Sequence, residues 1–120
     1  MKPTLKISEK NIENESCKVV MLEGEFDNEG YDNVRDTLDN LLEAYSKDAK
    51  VKHVVFDFSD LKYINSQGIG ILMEVQTKLL ALDKKMVIVG LNSNVKDVFE
   101  TIGMKEMTTI YEDLTSFLNK

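Results

Sequence analysis

The sequence predicts an α/β domain, in which a mixed sheet of four to five strands carries about four helices packed on it. Short apolar runs bounded by polar turns alternate with longer stretches of helical periodicity. The apolar run 53–58, the helical stretch 67–83 and the apolar run 86–90 form a strand–helix–strand unit, which is typical of a right-handed βαβ crossover. With 120 residues and no repeat or linker, the chain fits a single domain over 1–120.

The strands are predicted from β-branched and apolar runs between polar turns. A short edge strand is joined to the second strand through the polar turn Asn11–Ser16. The third and fourth predicted strands are apolar almost throughout, which indicates central strands that are buried on both faces. The predicted strands cover residues 4–8, 18–26, 53–58, 86–90 and 108–111.

The helices are predicted from apolar residues that repeat at helical spacing. The first, at 31–46, has one narrow apolar stripe, and Asp27 or Asn28 can cap its start. The second spans 67–83, and the third, at 94–102, is followed by Gly103 as its C-terminal cap. The fourth covers 112–119 with three residues expected to face inward, namely Leu114, Phe117 and Leu118.

The second predicted helix has two apolar faces, of which the larger is expected to dock on the sheet. That face comprises Ile71, Leu72, Val75, Leu79 and Leu82, and the opposite face comprises Ile69, Met73 and Leu80. The opposite face has two explanations: contact with neighbouring helices, or a partly exposed patch that binds a partner. Ile69 and Met73, close to the start of the helix, are the residues expected in such a patch.

Composition and charge exclude several classes of function. The net charge of −6 argues against sequence-independent binding to nucleic acid and against adhesion to an anionic membrane. The sequence has no apolar run long enough for a membrane span and no signal-peptide pattern, so we expect a cytoplasmic protein without membrane insertion. Cys17 is the single cysteine, which excludes an internal disulfide or a thiolate zinc cluster. We expect no metal and no cofactor.

Enzymatic chemistry is not predicted either. A serine hydrolase needs a base near its nucleophile, but the only histidine, His53, begins a strand whose other end precedes Ser66. Gly68 and Gly70 lack the third glycine of a dinucleotide site, and the sequence has no P-loop. Asp57 ends a strand as in phospho-accepting receiver domains, but the first strand lacks the acidic pair that such a site needs. We predict no catalytic residue.

The most unusual segment is residues 60–70, which join a central strand to the second helix. Asn65 and Ser66 are both good N-cap residues, and Gly68 and Gly70 follow within the first turns, where each glycine costs about 1 kcal/mol relative to alanine. Two glycines leave the backbone bare, so that another backbone or a partner can approach. A phosphate on Ser66 would suit this helix start, although the residues alone favour an ordinary serine cap.

This segment resembles the signature of STAS domains, the family of bacterial anti-sigma factor antagonists. Their pattern Asp-Ser-(Ser/Thr)-Gly-(Leu/Ile)-Gly is matched by Asn65–Gly70. The run Gly24–Asp27 is similar to the family's Gly-Glu-Leu-Asp, and Val54–Leu61 is similar to the strand that leads into the signature. Val95–Gly103 resembles the family's third helix with its following glycine. The resemblance covers essentially the whole chain and implies the STAS fold.

The resemblance implies a non-enzymatic protein-binding switch. The serine at the position of Ser66 is phosphorylated by an anti-sigma factor that is also a serine kinase, and a PP2C-type phosphatase reverses this. Unphosphorylated protein binds the kinase and frees the sigma factor, which promotes transcription, and we expect a monomer or weak dimer. The expected partner-binding residues are Asp27, Asn65, Ser66, Gln67, Gly68, Ile69, Gly70 and Met73.

Two positions depart from the family's pattern. Asn65 stands where the family usually has Asp, and Gln67 replaces the usual Ser or Thr. Asn65 keeps the capping oxygen and lacks the charge that kinase recognition normally meets. An alternative of a different class therefore remains: a constitutive STAS scaffold, or a regulatory subunit of a stress-sensing or transporter complex, without a phospho-switch.

Overall fold

The computed structural model describes residues 3–119, apart from the side chain of Lys105. In chain order the elements are β1 (Leu5–Lys10), β2 (Cys17–Phe26), α1 (Asn28–Lys47), β3 (His53–Asp57), β4 (Leu61–Ile64), α2 (Ser66–Leu80), β5 (Lys85–Val89), α3 (Ser93–Thr101), α4 (Met104–Met107), β6 (Thr109–Tyr111) and α5 (Leu114–Leu118). The predicted α/β class is confirmed.

The strands form one mixed sheet in the order β1-β2-β3-β5-β6, with β4 paired to β2 outside this path. Only β1 runs antiparallel to its neighbour, and the other pairings are parallel. Strand β2 is long enough to pair twice, first with β3 through Met21 and then with β4 from Gly24 onward. The change of partner coincides with a shift of register next to Gly24, whose φ of 113° suits glycine.

Successive parallel strands from β2 to β6 advance in one direction across the sheet, so right-handed crossovers place their helices on one face. The main core lies there, between strand residues such as Leu22 and Phe56 and helix residues such as Leu38, Leu72 and Phe99. The opposite face has a smaller core around five strand residues and Phe117 of α5: Cys17, Val19, Val55, Val87 and Val89. Burial on both faces explains the apolar central strands.

Several predicted details differ from the structure. Leu61–Ile64 forms a strand that was expected to be part of a loop, so the sheet has six strands instead of four to five. Helix α1 begins at Asn28, three residues before the predicted start, because Asp27 caps it. The short helix α4 was not predicted.

Two apolar residues expected to face inward are exposed. Leu82 is 48% exposed because α2 ends at Leu80, before the predicted end at residue 83. Leu118, at the last turn of α5, is 39% exposed, whereas Phe117 beside it is buried as expected. Of the other residues predicted to face the sheet from α2, Leu72, Val75 and Leu79 are buried as expected. Ile71 is partly buried and packs against the same core.

A buried tyrosine fixes the C-terminal half of α1 to β1. The hydroxyl of Tyr45 donates a hydrogen bond to the Glu9 carboxylate at 2.5 Å. Burial of the ring, followed by the hydrogen bond to Glu9 and the charge of Glu9, raises the pKa of Tyr45 well above its usual value. The folded state therefore holds this hydroxyl protonated at a pH where the unfolded chain releases the proton.

Tyr45→Phe is expected to lower the free energy of unfolding at pH 7 by about 1 kcal/mol, the usual contribution of one hydrogen bond. Above pH ~10 the unfolded wild type loses the Tyr45 proton while the folded state keeps it, so the wild type loses stability as the pH rises. The difference between the two proteins should therefore shrink above pH ~10 in urea unfolding. A difference that is constant between pH 7 and pH ~11 would contradict this role for Tyr45.

Candidate functional site

The carboxyl ends of the parallel strands form a rim at which four helices begin. Strands β2, β4, β5 and β6 each lead, directly or within a few residues, into a helix that starts at this edge. Each helix is capped by the side-chain oxygen of an Asp or Asn, which accepts a hydrogen bond from the backbone N–H three residues later. The four caps are Asp27, Asn65, Asn92 and Asp113.

The start of α2 presents Ser66 to solvent. Asn65 is the cap, because its extended backbone precedes the helix and its Oδ1 accepts from the Gly68 N–H at 3.0 Å. Ser66 is thus the first helical residue and not the cap. Its side chain is exposed, and its hydroxyl makes no hydrogen bond within residues 3–119. The capping role that the sequence left open for Ser66 is performed by Asn65.

Gly68 brings the first turn of α2 against the end of β2. A Cβ at this position would lie 2.7 Å from the Phe26 carbonyl oxygen and 2.8 Å from Cγ1 of Ile64, closer than packed atoms allow. The same Phe26 carbonyl accepts a hydrogen bond from the Asn65 N–H at 3.1 Å. Gly68 therefore allows the backbone of β2 to approach the first turn of α2. Gly70 has no such role, because a Cβ there would meet no atom within 4 Å.

The start of α1 repeats this arrangement beside α2. Asp27 accepts from the Gly30 N–H at 2.8 Å, and a Cβ at Gly30 would collide with the Glu25 carbonyl oxygen. Phe26 and Ile64 are paired residues of adjacent strands, so the turns that follow them lie side by side. The structure thus brings Asp27 next to the turn that carries Ser66.

The residues expected to bind a partner do not all reach the surface. Asp27, Asn65 and Met73 are partly exposed, and Ser66, Gln67 and Gly70 are exposed. Gly68 and Ile69 are buried, and Ile69, 7% exposed, belongs to the main core. The exposed-patch explanation is therefore wrong for the Ile69 side chain.

Several carboxylates lie on the neighbouring segment that runs from β2 into α1. Glu23 and Glu25 are exposed near the end of β2, and Glu29 is exposed in the first turn of α1. Asp32, one turn further along, forms an ion pair with Arg35 at 2.6 Å. The segment that precedes and begins α1, whose turn lies beside the Ser66 turn, is therefore rich in negative charge.

The groups considered for catalysis lie elsewhere or have structural roles. His53 begins β3, at the edge of the sheet opposite the rim, with its ring 5.4 Å from that of Phe117. Asp57 accepts hydrogen bonds from the N–H and the hydroxyl of Ser59, so it caps the turn that follows β3. Across residues 3–119, no cluster of three or more His, Cys, Asp or Glu side chains is placed to hold a metal ion.

None of the helices within the described part of the chain is both long and apolar enough to cross a membrane.

The sequence reasoning missed Asn92, which caps α3 and also contacts β4. Its Oδ1 accepts from the Val95 N–H at 2.9 Å, and its Nδ2 donates to the Leu61 carbonyl at 2.7 Å. A signal was available, since the dipeptide Asn-Ser occurs at 65–66 and again at 92–93, each time after a strand. Both copies place the serine at the first position of a helix.

Comparisons with known proteins agree with this architecture. A family model described as STAS domain matches residues 10–116. An anti-sigma factor antagonist from Mycobacterium paratuberculosis superposes with a TM-score of 0.75 at 19% identity, over 96% of this chain and 92% of that chain.

Two structures of SpoIIAA are also similar. The anti-sigma factor antagonist SpoIIAA in its unphosphorylated form gives a TM-score of 0.65 at 15% identity, over 94% of each chain. The Bacillus cell fate determinant SpoIIAA in the phosphorylated form gives 0.65 at 16%, over 95% of this chain and 98% of that chain. At these identities the likenesses show the shared fold.

Gly68→Ala is expected to lower the free energy of unfolding by about 1–3 kcal/mol, because the added methyl group collides with the Phe26 carbonyl. Gly70→Ala is the matched control in the same helix: its methyl group enters open space and should raise the stability by up to about 1 kcal/mol. Urea unfolding of both variants measures the difference. Equal stabilities would contradict the close approach at Gly68.

Proposed function

Because the chain belongs to the STAS domain family, we propose that it is an anti-sigma factor antagonist switched by phosphorylation of Ser66. In this proposal it acts in the cytoplasm, catalyses no reaction and binds an anti-sigma factor that is also a serine kinase, which releases the sigma factor to promote transcription. The kinase phosphorylates Ser66 and ends the interaction, and a PP2C-type phosphatase restores it.

The observation that carries the proposal is the placement of the Ser66 hydroxyl. It is exposed at the first position of α2, while the cap and the close contact with β2 are provided by Asn65 and Gly68. Modification of Ser66 therefore removes no hydrogen bond on which the described structure depends. A kinase can reach this oxygen without unfolding the turn.

The helix start can accommodate a phosphate in the free protein. The first bond within α2 is donated by the Ile69 N–H to the Asn65 carbonyl, and the Gly68 N–H is already bound to the Asn65 side chain. The N–H groups of Ser66 and Gln67 precede these bonds and are the donors that a helix leaves for an anion. The interaction with the helix dipole contributes about 0.3–1 kcal/mol at an exposed site.

The same phosphate opposes binding to a partner. It adds a charge of about −1.5 to −2 next to the turn that carries Asp27, and it must lose water when the partner covers the start of α2. Reversing a complex from 99:1 bound to 1:99 needs about 5.5 kcal/mol. Repulsion and desolvation within a packed interface supply this difference more readily than refolding of the domain, because the turn is already formed around Asn65 and Gly68.

Asn65 favours one second candidate, a constitutive scaffold or regulatory subunit without a switch. The amide of Asn65 provides the capping oxygen, but it lacks the negative charge of the Asp that usually precedes the serine in the STAS signature. Light scattering on the purified chain separates the candidates: a large homo-assembly favours the scaffold, and a monomer or weak dimer favours the switch.

Ser66→Asp should weaken binding to the proposed anti-sigma kinase partner by roughly 100-fold or more, while Ser66→Ala binds like the wild type. Ser93→Asp is a matched control, because Ser93 is also exposed and also follows an asparagine cap at the start of a helix. It should change the dissociation constant by less than about threefold. Calorimetry with the purified kinase measures all four proteins. Equal affinities for wild type, Ser66→Ala and Ser66→Asp would overturn the proposal.

A further inference from the structure

We propose that Asn92 is a positioning residue for the Ser66 turn, which it holds in place from outside α2. The inference rests on the proposed function only for its consequence in partner binding. Its structural basis is a single side chain that bonds to two elements at once. Its Oδ1 accepts a hydrogen bond from α3, and its Nδ2 donates one to β4. Both bonds are within ordinary hydrogen-bond range, at 2.9 Å and 2.7 Å.

The need for this bond follows from the topology of the sheet. Strand β4 is four residues long and pairs with β2 alone. Strand β5 ends at Val89, which pairs with Asp57 and accepts the Phe58 N–H, so it does not continue beside β4. The Leu61 carbonyl is therefore satisfied by the side chain of Asn92, in a place where a longer sheet would provide a backbone donor.

The loss of that donor cannot be replaced easily by solvent. Leu61 is fully buried, and α3 packs directly against β4. A buried carbonyl left without a donor carries the cost of its desolvation. Since β4 leads within four residues to Asn65 and Ser66, a loosened start of β4 should be transmitted to the turn.

Asn92→Asp separates the two functions of this side chain. The introduced carboxylate has the same shape and keeps the capping oxygen, and its charge suits the start of α3. It has no N–H to donate to Leu61 and places an acceptor against the carbonyl. If Asn92 acted only as a cap, the protein would tolerate this change. If Asn92 also positions the Ser66 turn, the variant should keep or increase the stability of α3 and lower the order of the turn.

Amide hydrogen exchange followed by NMR on the whole chain tests the proposal. In Asn92→Asp, the N–H groups of Asn65 and Gly68 should exchange roughly tenfold faster than in wild type, equivalent to about 1.4 kcal/mol of local opening. The Val95 N–H, which reports the α3 cap, should exchange at the wild-type rate or more slowly. Asn92→Ser, which also keeps a capping oxygen and replaces the amide N–H with a hydroxyl on a shorter side chain, should reproduce the acceleration without the added charge.

Lys96→Gly serves as the control for a weakened α3, because it lowers helix propensity at an exposed position away from Leu61. It should accelerate exchange within α3 and leave Asn65 and Gly68 unchanged. Unchanged exchange at Asn65 and Gly68 in both Asn92 variants would overturn the positioning role. Equal acceleration in Lys96→Gly would overturn it as well, since any loosening of α3 would then suffice.

The same variants are titrated with the anti-sigma kinase to connect the turn to partner binding. We expect Asn92→Asp and Asn92→Ser to bind several-fold more weakly than wild type, and Lys96→Gly to bind like wild type. Wild-type affinity in both Asn92 variants despite faster exchange would overturn the consequence for binding. If the wild type itself does not bind the kinase, the proposed function fails, and the exchange data still decide whether Asn92 positions the turn.

Discussion

The contact between the Phe26 carbonyl and the first turn of α2 determines how Ser66 is presented. This one oxygen accepts the Asn65 N–H at 3.1 Å and lies where a side chain on residue 68 would have to be. Two contacts therefore hold the turn in place: the bond to the backbone of β2 and the cap formed by the Asn65 side chain. The Ser66 hydroxyl makes no hydrogen bond within residues 3–119, which is why a modification there is compatible with the fold.

The contact at the Phe26 carbonyl depends on the two strands with which β2 pairs. The strand pairs with β3 in its first half and with β4 in its second half, and the change occurs at Gly24, in a backbone conformation that suits glycine. The second pairing places the ends of β2 and β4 side by side, so that α1 and α2 begin next to each other with equivalent caps. On the other side of β4, Asn92 provides the donor that no strand supplies. The rim is thus held by a few polar contacts between segments distant in sequence.

Much of the fold could be predicted because its strands and helices have strong local patterns. The apolar strands and the stripe of α1 were read correctly, and the Asp27 cap was identified among two candidates. Strand β4 was missed because its buried residues are Leu61 and Ile64, with the exposed Lys62 and Tyr63 between them, which is not the alternation of a strand. Its pairing with β2 is a tertiary contact, and no local pattern encodes it.

The site was predictable in position and less so in detail. The Asn65–Gly70 segment was identified from its unusual glycines, but which of Asn65 and Ser66 is the cap could not be decided because both residue types cap helices well. Gln76 of α2 is buried and donates to the Met107 carbonyl of α4, a helix that the sequence did not predict. The second role of Asn92, its bond to the Leu61 carbonyl, likewise depends on a contact between residues 31 positions apart in the chain.

Mapping of the phosphate after incubation with the anti-sigma kinase and ATP tests the account's central claim most directly. The geometry predicts one phosphate per chain, located on Ser66 by fragmentation in tandem mass spectrometry, with Ser59 and Ser93 unmodified. Ser59 is engaged with Asp57, and Ser93 occupies an equivalent helix start on the same rim. A phosphate on Ser93 in place of Ser66, or no phosphate under conditions in which the kinase binds the chain, would contradict the assignment of Ser66 as the switch.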